Sequence, residues 1–101
     1  MNNKDKKMSE ERIMIQEAIE RVRQMELCFD MLQKVVKENP NSIRKNDSLK
    51  AFLQILTEYY ESGQWLQDYD LDEKGLFPED LKRGVLAQDS VYDFCSFFTI
   101  S

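Results

Sequence analysis

A run of alternating carboxylates has the spacing of a known metal site. Asp68, Asp70 and Asp72 alternate along the chain, and Glu79 lies eleven positions after Asp68. Side chains at these spacings are the ligands of an EF-hand loop, which binds calcium through oxygen atoms. The sixth position of that loop requires a glycine for its sharp turn, but the residue there is Glu73. We therefore interpret the stretch as a solvated acidic turn, with a cation site as the alternative.

The rest of the chain offers few groups for catalysis or metal binding. It contains no histidine, and its two cysteines, Cys28 and Cys95, are far apart in the sequence. A zinc site needs about four thiolate or imidazole ligands, and the commonest general base is absent. Asp89 and Asp93 are one helical turn apart, but that spacing is common on acidic helices. We expect no cofactor and no catalytic residue, which favours a protein that is not an enzyme.

Aromatic side chains near carboxylates form the second candidate site. Tryptophan and tyrosine with a polar rim are typical of binding surfaces, but they also pack junctions between helices with their polar atoms at the boundary. We favour packing and keep the surface as the alternative. Lys82 and Arg83 precede Gly84, and we expect them to complement the negative end of a short helix rather than bind a phosphate. The candidate interaction surface comprises Tyr60, Trp65, Asp68, Tyr69, Lys82, Arg83, Asp89 and Tyr92.

A long amphipathic helix is expected to position these groups. Apolar residues are 42% of the chain, and glycine (3) and proline (2) are scarce, which favours helix. Ser9 is a plausible start, Asn39-Pro40 ends the helix, and residues 1–8 are expected to be disordered. Two interleaved series of apolar residues, each with a period of seven, define one seam: Ile15, Val22, Phe29 and Val36, with Ala18, Met25 and Leu32.

Three later segments complete the predicted fold. A second helix starts between Ser42 and Asp47, with Asp47 as its plausible N-cap, and ends at Gly63. A short helix follows Pro78, and a last helix covers about 88–98, after weakly helical residues 64–77. We predict a single all-α domain over residues 1–101. Its long N-terminal helix forms an antiparallel hairpin with the second helix, capped by short C-terminal helices. Self-association along an uncovered seam is the alternative.

Charge is distributed unevenly along the chain. Residues 61–101 carry 3 basic and 9 acidic side chains, a net charge of −6, whereas residues 1–60 carry 11 basic and 10 acidic ones. Nucleic acids and anionic membranes require a basic surface, so we expect neither as a ligand of the C-terminal part. No stretch approaches the roughly 20 apolar residues of a membrane span. We therefore predict a cytoplasmic protein.

Two sequence blocks carry a resemblance to a known family. One block has Tyr59-Tyr60, then Trp65 and Asp68; the other is LKRGVL at 81–86, followed by Asp89 and VYD at 91–93. In these blocks the chain resembles a family of small uncharacterised bacterial proteins, catalogued as a domain of unknown function, with similarity over about residues 10–95. The resemblance implies an all-helical protein and brings no activity, substrate or catalytic residue. Ala87 departs from the capping serine expected before the last helix.

Two functions remain open from the residues. The first is a non-enzymatic helical module that binds a protein, or a second copy of itself, through its acidic and aromatic C-terminal half. The second is a small metal-dependent enzyme or cation-binding protein that uses the acidic turn at 68–79.

Overall fold

A computed structural model describes the backbone of residues 3–87 and 89–99 and the side chains of 9–87 and 89–98. This part of the chain is all-α, as predicted, and contains no strand. Its five α-helices are α1 (Asn3–Glu38), α2 (Ser42–Lys45), α3 (Asp47–Glu61), α4 (Gln64–Glu73) and α5 (Ser90–Thr99). A 3₁₀ turn, Gly84–Leu86, precedes α5.

The long helix α1 extends along the longest dimension of the molecule. Its 36 residues span about 54 Å at 1.5 Å per residue, close to the longest dimension of the molecule, 56 Å. The predicted heptad seam is its buried side, since Ala18, Val22, Phe29 and Leu32 are at most 2% exposed. The helix begins at Asn3, six residues before the start predicted at Ser9. Residues 3–8, which were expected to be disordered, belong to this helix, whereas residues 1 and 2 lie outside the described part.

The chain reverses after α1 to form the predicted antiparallel hairpin. The short helix α2 buries Ile43, and α3 then returns along α1, so that the thiol of Cys28 lies 3.4 Å from the carbonyl oxygen of Phe52. The prediction of Asp47 as the N-cap of α3 is wrong. Asn46 caps this helix by accepting the amide hydrogen of Leu49 at 3.1 Å. A carboxamide in extended backbone fits that position, and the next residue supplies a first-turn acid.

Residues 64–77 are more helical than the weak pattern predicted. Gly63, at φ +90°, ends α3 in the left-handed conformation that glycine adopts without steric cost, and α4 begins directly after it. The prediction of a short helix after Pro78 is wrong, because residues 78–83 form turns. The predicted start of the last helix at residue 88 lies outside the described residues, and α5 begins at Ser90.

The C-terminal segment closes the core over the hairpin. It contributes Phe77, Leu81, Val85, Leu86, Val91 and Cys95, which join the buried seam of α1 and Leu56 and Tyr59 of α3. Phe94 of α5 meets Phe29 of α1 edge to face, with ring centroids 5.5 Å apart. Among the described residues, no helix has both the length and the apolar character needed to cross a membrane.

Candidate interaction surface

Four aromatic side chains from three helices form a continuous row, here called the aromatic strip: Tyr92, Tyr60, Trp65 and Tyr69. The centroids of Tyr92 and Tyr60 are 5.9 Å apart, and those of Tyr60 and Trp65 are 5.2 Å apart. Trp65 and Tyr69 stack at 5.2 Å with 20° between their planes. Tyr92 is 53% exposed and the other three are half-buried. These rings pack the helix junction and also reach solvent, so a binding role for this surface stays a prediction.

The strip is fixed to the core through the backbone of Val85, which has no exposed surface. The indole N–H of Trp65 donates to the carbonyl oxygen of Val85 at 2.8 Å. The amide N–H of Val85 donates to the carboxylate of Glu26 at 2.6 Å. Both hydrogen-bonding groups of one buried residue are therefore held by side chains from α4 and α1, which locks the orientation of the indole ring.

Gly84 makes room for this arrangement. A Cβ at this position would lie 2.7 Å from Oε1 of Glu26 and 3.3 Å from Oε2. Glu26 is only 7% exposed, and its carboxylate cannot move aside without losing its hydrogen bond from the Val85 amide. A side chain next to Val85 would therefore force the Glu26 carboxylate to shift away from its present position.

Arg83 organises the turns that replace the predicted short helix. Its guanidinium donates to the carbonyl oxygens of Pro78, Glu79 and Leu81 at 2.7–3.2 Å, and its Nε donates to Asp72 at 2.7 Å. Carbonyls that a helix would pair internally are thus taken by one side chain, which ties the turns to α4. The role assigned to Arg83 from the sequence, complementing a helix end, is wrong for this reason.

Asp68 is buried, although the sequence placed it in the candidate surface. Its carboxylate receives Nε and Nη2 of Arg21 at 2.9 and 2.6 Å and the hydroxyl of Tyr59 at 2.8 Å. This contact joins α1, α3 and α4. The hydrogen bonds that Arg21 donates to Asp68 raise the pKa of Arg21, and burial, followed by the hydrogen bond to Asp68, raises the pKa of Tyr59. Asp68 is therefore a structural anchor and not part of an exposed site.

The EF-hand spacing falls on a helix rather than on a loop. Asp68, Asp70 and Asp72 all belong to α4, where Asp68 and Asp72 each pair with an arginine, and Glu79 lies in the turns beyond. Within the described residues, no group of three acidic or cysteine side chains could hold a metal ion.

The remaining residues of the candidate surface lie away from this acidic stretch. Asp89 precedes α5 at φ +70°, and Lys82 lines a groove of about 370 Å³ beside α1.

Negative charge surrounds the Tyr69 end of the strip. The charge of Glu73, followed by a hydrogen bond to Glu73, raises the pKa of Tyr69, with smaller contributions from Asp70 and Asp72. At the opposite end, Glu61 lines a recess of about 180 Å³ together with Tyr60 and Tyr92. The strip therefore presents aromatic faces between carboxylates.

Sequence reasoning missed Glu26 and Arg21 as residues that hold this part of the fold together. Glu26 lies seven positions after the buried Ile19, so helical periodicity places it beside the seam. That position was a signal of burial, but nothing in the sequence indicated that its partner would be the amide of Val85. Arg21 is an arginine on α1 like the solvent-exposed Arg23, and nothing in the sequence distinguishes the two.

Comparison with known proteins identifies a family for the chain but no individual relative. Neither the curated proteins nor the solved structures gave a match. A family model described as a domain of unknown function, DUF4298, matches residues 22–99, a slightly later range than the 10–95 expected from the sequence blocks. This confirms the resemblance at the level of the family. Because the match covers more than half of the sequence, the chain belongs to this family of domains of unknown function.

Proposed function

We propose that this chain is a non-enzymatic helical module that binds a protein through the aromatic strip. The observation that carries the proposal is the strip itself, in which rings from α3, α4 and α5 touch in a row and remain accessible to solvent. Tyrosine and tryptophan are enriched at the energetically important centres of interfaces, where they bury large areas at low entropic cost.

The strip is also held in place before any partner arrives. The Trp65 indole is fixed by Val85, and Val85 is fixed by Glu26. A surface that is already ordered loses less side-chain entropy on binding. Two of the four acidic groups that suggested metal chemistry, Asp68 and Asp72, pair with arginines instead. These contacts support a binding role over catalysis.

We further propose that the module acts in the cytoplasm. Neither Cys28 nor Cys95 takes part in a disulfide in this fold, so both side chains are thiols. Reducing compartments keep thiols in this state, whereas secreted domains of this size commonly use disulfides.

The proposal is tested by capturing partners from the native host with the wild-type chain and with Tyr92→Ala and Tyr69→Ala variants. We expect both substitutions to remove the same partner, because they shorten the strip at its two ends. Ile13→Ala is the matched control, since Ile13 is equally exposed, at 57%, but lies on α1. The Tm of every variant is measured in parallel and should stay well above the capture temperature, so that lost binding does not reflect unfolding.

Light scattering on the same variants identifies self-association. If the wild-type chain has twice the monomer mass and Tyr92→Ala has the monomer mass, the strip binds a second copy of the chain. A monomeric chain whose captured partners are unchanged by the Tyr69→Ala and Tyr92→Ala pair would contradict the proposal.

A further inference from the structure

The charges beside the aromatic strip define what kind of segment it accepts. Glu73 lies one helical turn after Tyr69 on the same helix, α4, and Glu61 lines the recess between Tyr60 and Tyr92. In the described part of the chain, neither Glu61 nor Glu73 takes part in an ion pair. By contrast, Asp72 is already paired with Arg83. Unpaired carboxylates therefore lie at both ends of the row of rings.

Aromatic faces and carboxylates together recognise one chemical group better than others. A guanidinium stacks on tyrosine and tryptophan rings through cation–π attraction and pairs with a carboxylate through two parallel hydrogen bonds. An ammonium group has the charge but lacks the planar shape. A neutral segment would leave Glu61 and Glu73 without a cationic partner, and an acidic segment would be repelled by them.

We propose that the aromatic strip binds an arginine-containing segment of a partner protein, with guanidinium groups stacked on the rings and paired with Glu61 and Glu73. This inference rests on the proposed function and specifies the chemistry of its partner. The net charge of −6 over residues 61–101 adds a long-range attraction for such a segment. Because three of the rings are half-buried and Trp65 is held by its hydrogen bond to Val85, the strip contributes flat faces rather than a deep pocket.

Trp65 makes the inference directly measurable. It is the single tryptophan of the chain, so its fluorescence reports on the centre of the strip. The ligands are four glycine-serine peptides of equal length that differ only at every third residue, which is arginine, lysine, glutamine or glutamate. Each peptide is titrated into the protein at the same ionic strength. We expect the arginine peptide to bind at least about tenfold more tightly than the glutamine peptide, with lysine between them.

Substitutions then locate the binding. Glu73→Gln, Glu61→Gln and Tyr92→Ala should each weaken binding of the arginine peptide by about two- to fivefold. Glu38→Gln is the charge-matched control, because Glu38 is exposed at the end of α1 beside the turn into α2 and should leave the affinity unchanged. An affinity that falls equally in Glu38→Gln would indicate general charge attraction and would overturn the inference.

Other outcomes separate this inference from the proposed function. Equal binding of the glutamine and arginine peptides, or no binding of the arginine peptide up to about 1 mM, overturns the inference. If capture of a host partner still depends on Tyr69 and Tyr92 in that case, the proposed binding function is retained and the partner segment is not basic. If capture is also independent of the strip, the proposed function fails as well.

Discussion

The carboxylate of Glu26 lies 2.6 Å from the amide nitrogen of Val85, 59 positions further along the chain. This contact joins the middle of α1 to the 3₁₀ turn, and Trp65 holds the carbonyl side of the same residue. One buried backbone position therefore connects α1 to the aromatic strip. Changes at this position should affect both the stability of the fold and the order of the strip.

Glu26→Ala should lower the free energy of unfolding by about 1–3 kcal/mol, because the buried N–H of Val85 loses its acceptor. Glu26→Gln keeps an acceptor oxygen and should cost less than Glu26→Ala. Urea denaturation followed by circular dichroism measures both changes. Glu17→Ala, at an exposed position of the same helix, is the control and should change stability by at most about 0.5 kcal/mol. Equal stabilities of Glu26→Ala and Glu17→Ala would show that the contact has no energetic role.

Gly84→Ala should be destabilising by about 1–3 kcal/mol, because the new methyl group would meet Oε1 of Glu26 at 2.7 Å. The same substitution in a Glu26→Ala background should cost less, since the carboxylate is then absent. A double-mutant cycle of unfolding free energies measures this coupling. Strict additivity of the two substitutions would mean that the side chain of Glu26 does not restrict residue 84.

Asp68→Ala should cost about 3 kcal/mol or more, because it leaves the Arg21 guanidinium and the Tyr59 hydroxyl without their partner. Asp70→Ala on the same helix removes an exposed carboxylate and should change stability by at most about 0.5 kcal/mol. Thermal unfolding of the two variants provides the comparison. Similar Tm values for both would contradict the structural role of Asp68.

Tyr59 should make the stability of the fold fall at alkaline pH. Its pKa is raised in the folded chain, mainly by burial and then by Asp68, whereas an unfolded tyrosine ionises near pH 10. The folded state therefore binds the proton more tightly. This contribution is present below about pH 10 and is lost as the pH rises further. Tyr59→Phe should show a smaller loss of Tm between about pH 9 and pH 11.

Phenolate absorbance checks the same assignment directly. The native chain has four tyrosines, and Tyr59 should ionise only when the protein unfolds. A native titration that is identical in wild type and Tyr59→Phe is expected until unfolding begins. Early ionisation of one additional group in the wild type would contradict the buried position of this hydroxyl.

Millimolar calcium or magnesium should leave the Tm unchanged within about 1 °C. Two of the four carboxylates with EF-hand spacing already neutralise Arg21 and Arg83, and α4 holds the first three on a helix. Sodium chloride at matched ionic strength is the control for general screening. A calcium-dependent rise in Tm that disappears in Asp70→Asn would instead support the cation-binding alternative.

The sequence alone was sufficient for the helical class and for the chain reversals. A seven-residue period of apolar side chains can be satisfied only if one face of α1 is covered, and Ala18, Val22, Phe29 and Leu32 are indeed buried. Proline and glycine act through local backbone geometry, so the breaks near residues 40 and 63 follow from the sequence itself. The sequence also identified the aromatic residues of the strip, because tryptophan and tyrosine near carboxylates are typical of binding surfaces.

The tertiary structure decided which polar side chains are anchors and which remain on the surface. Asp68 and Asp70 are the same residue type on one helix, yet Asp68 meets an arginine and a tyrosine from two other helices, whereas Asp70 faces solvent. The helix predicted after Pro78 failed because Arg83 captures the carbonyl groups of the turns. Local sequence patterns describe one element at a time, whereas the burial of a charged group depends on partners that only folding brings within hydrogen-bonding distance.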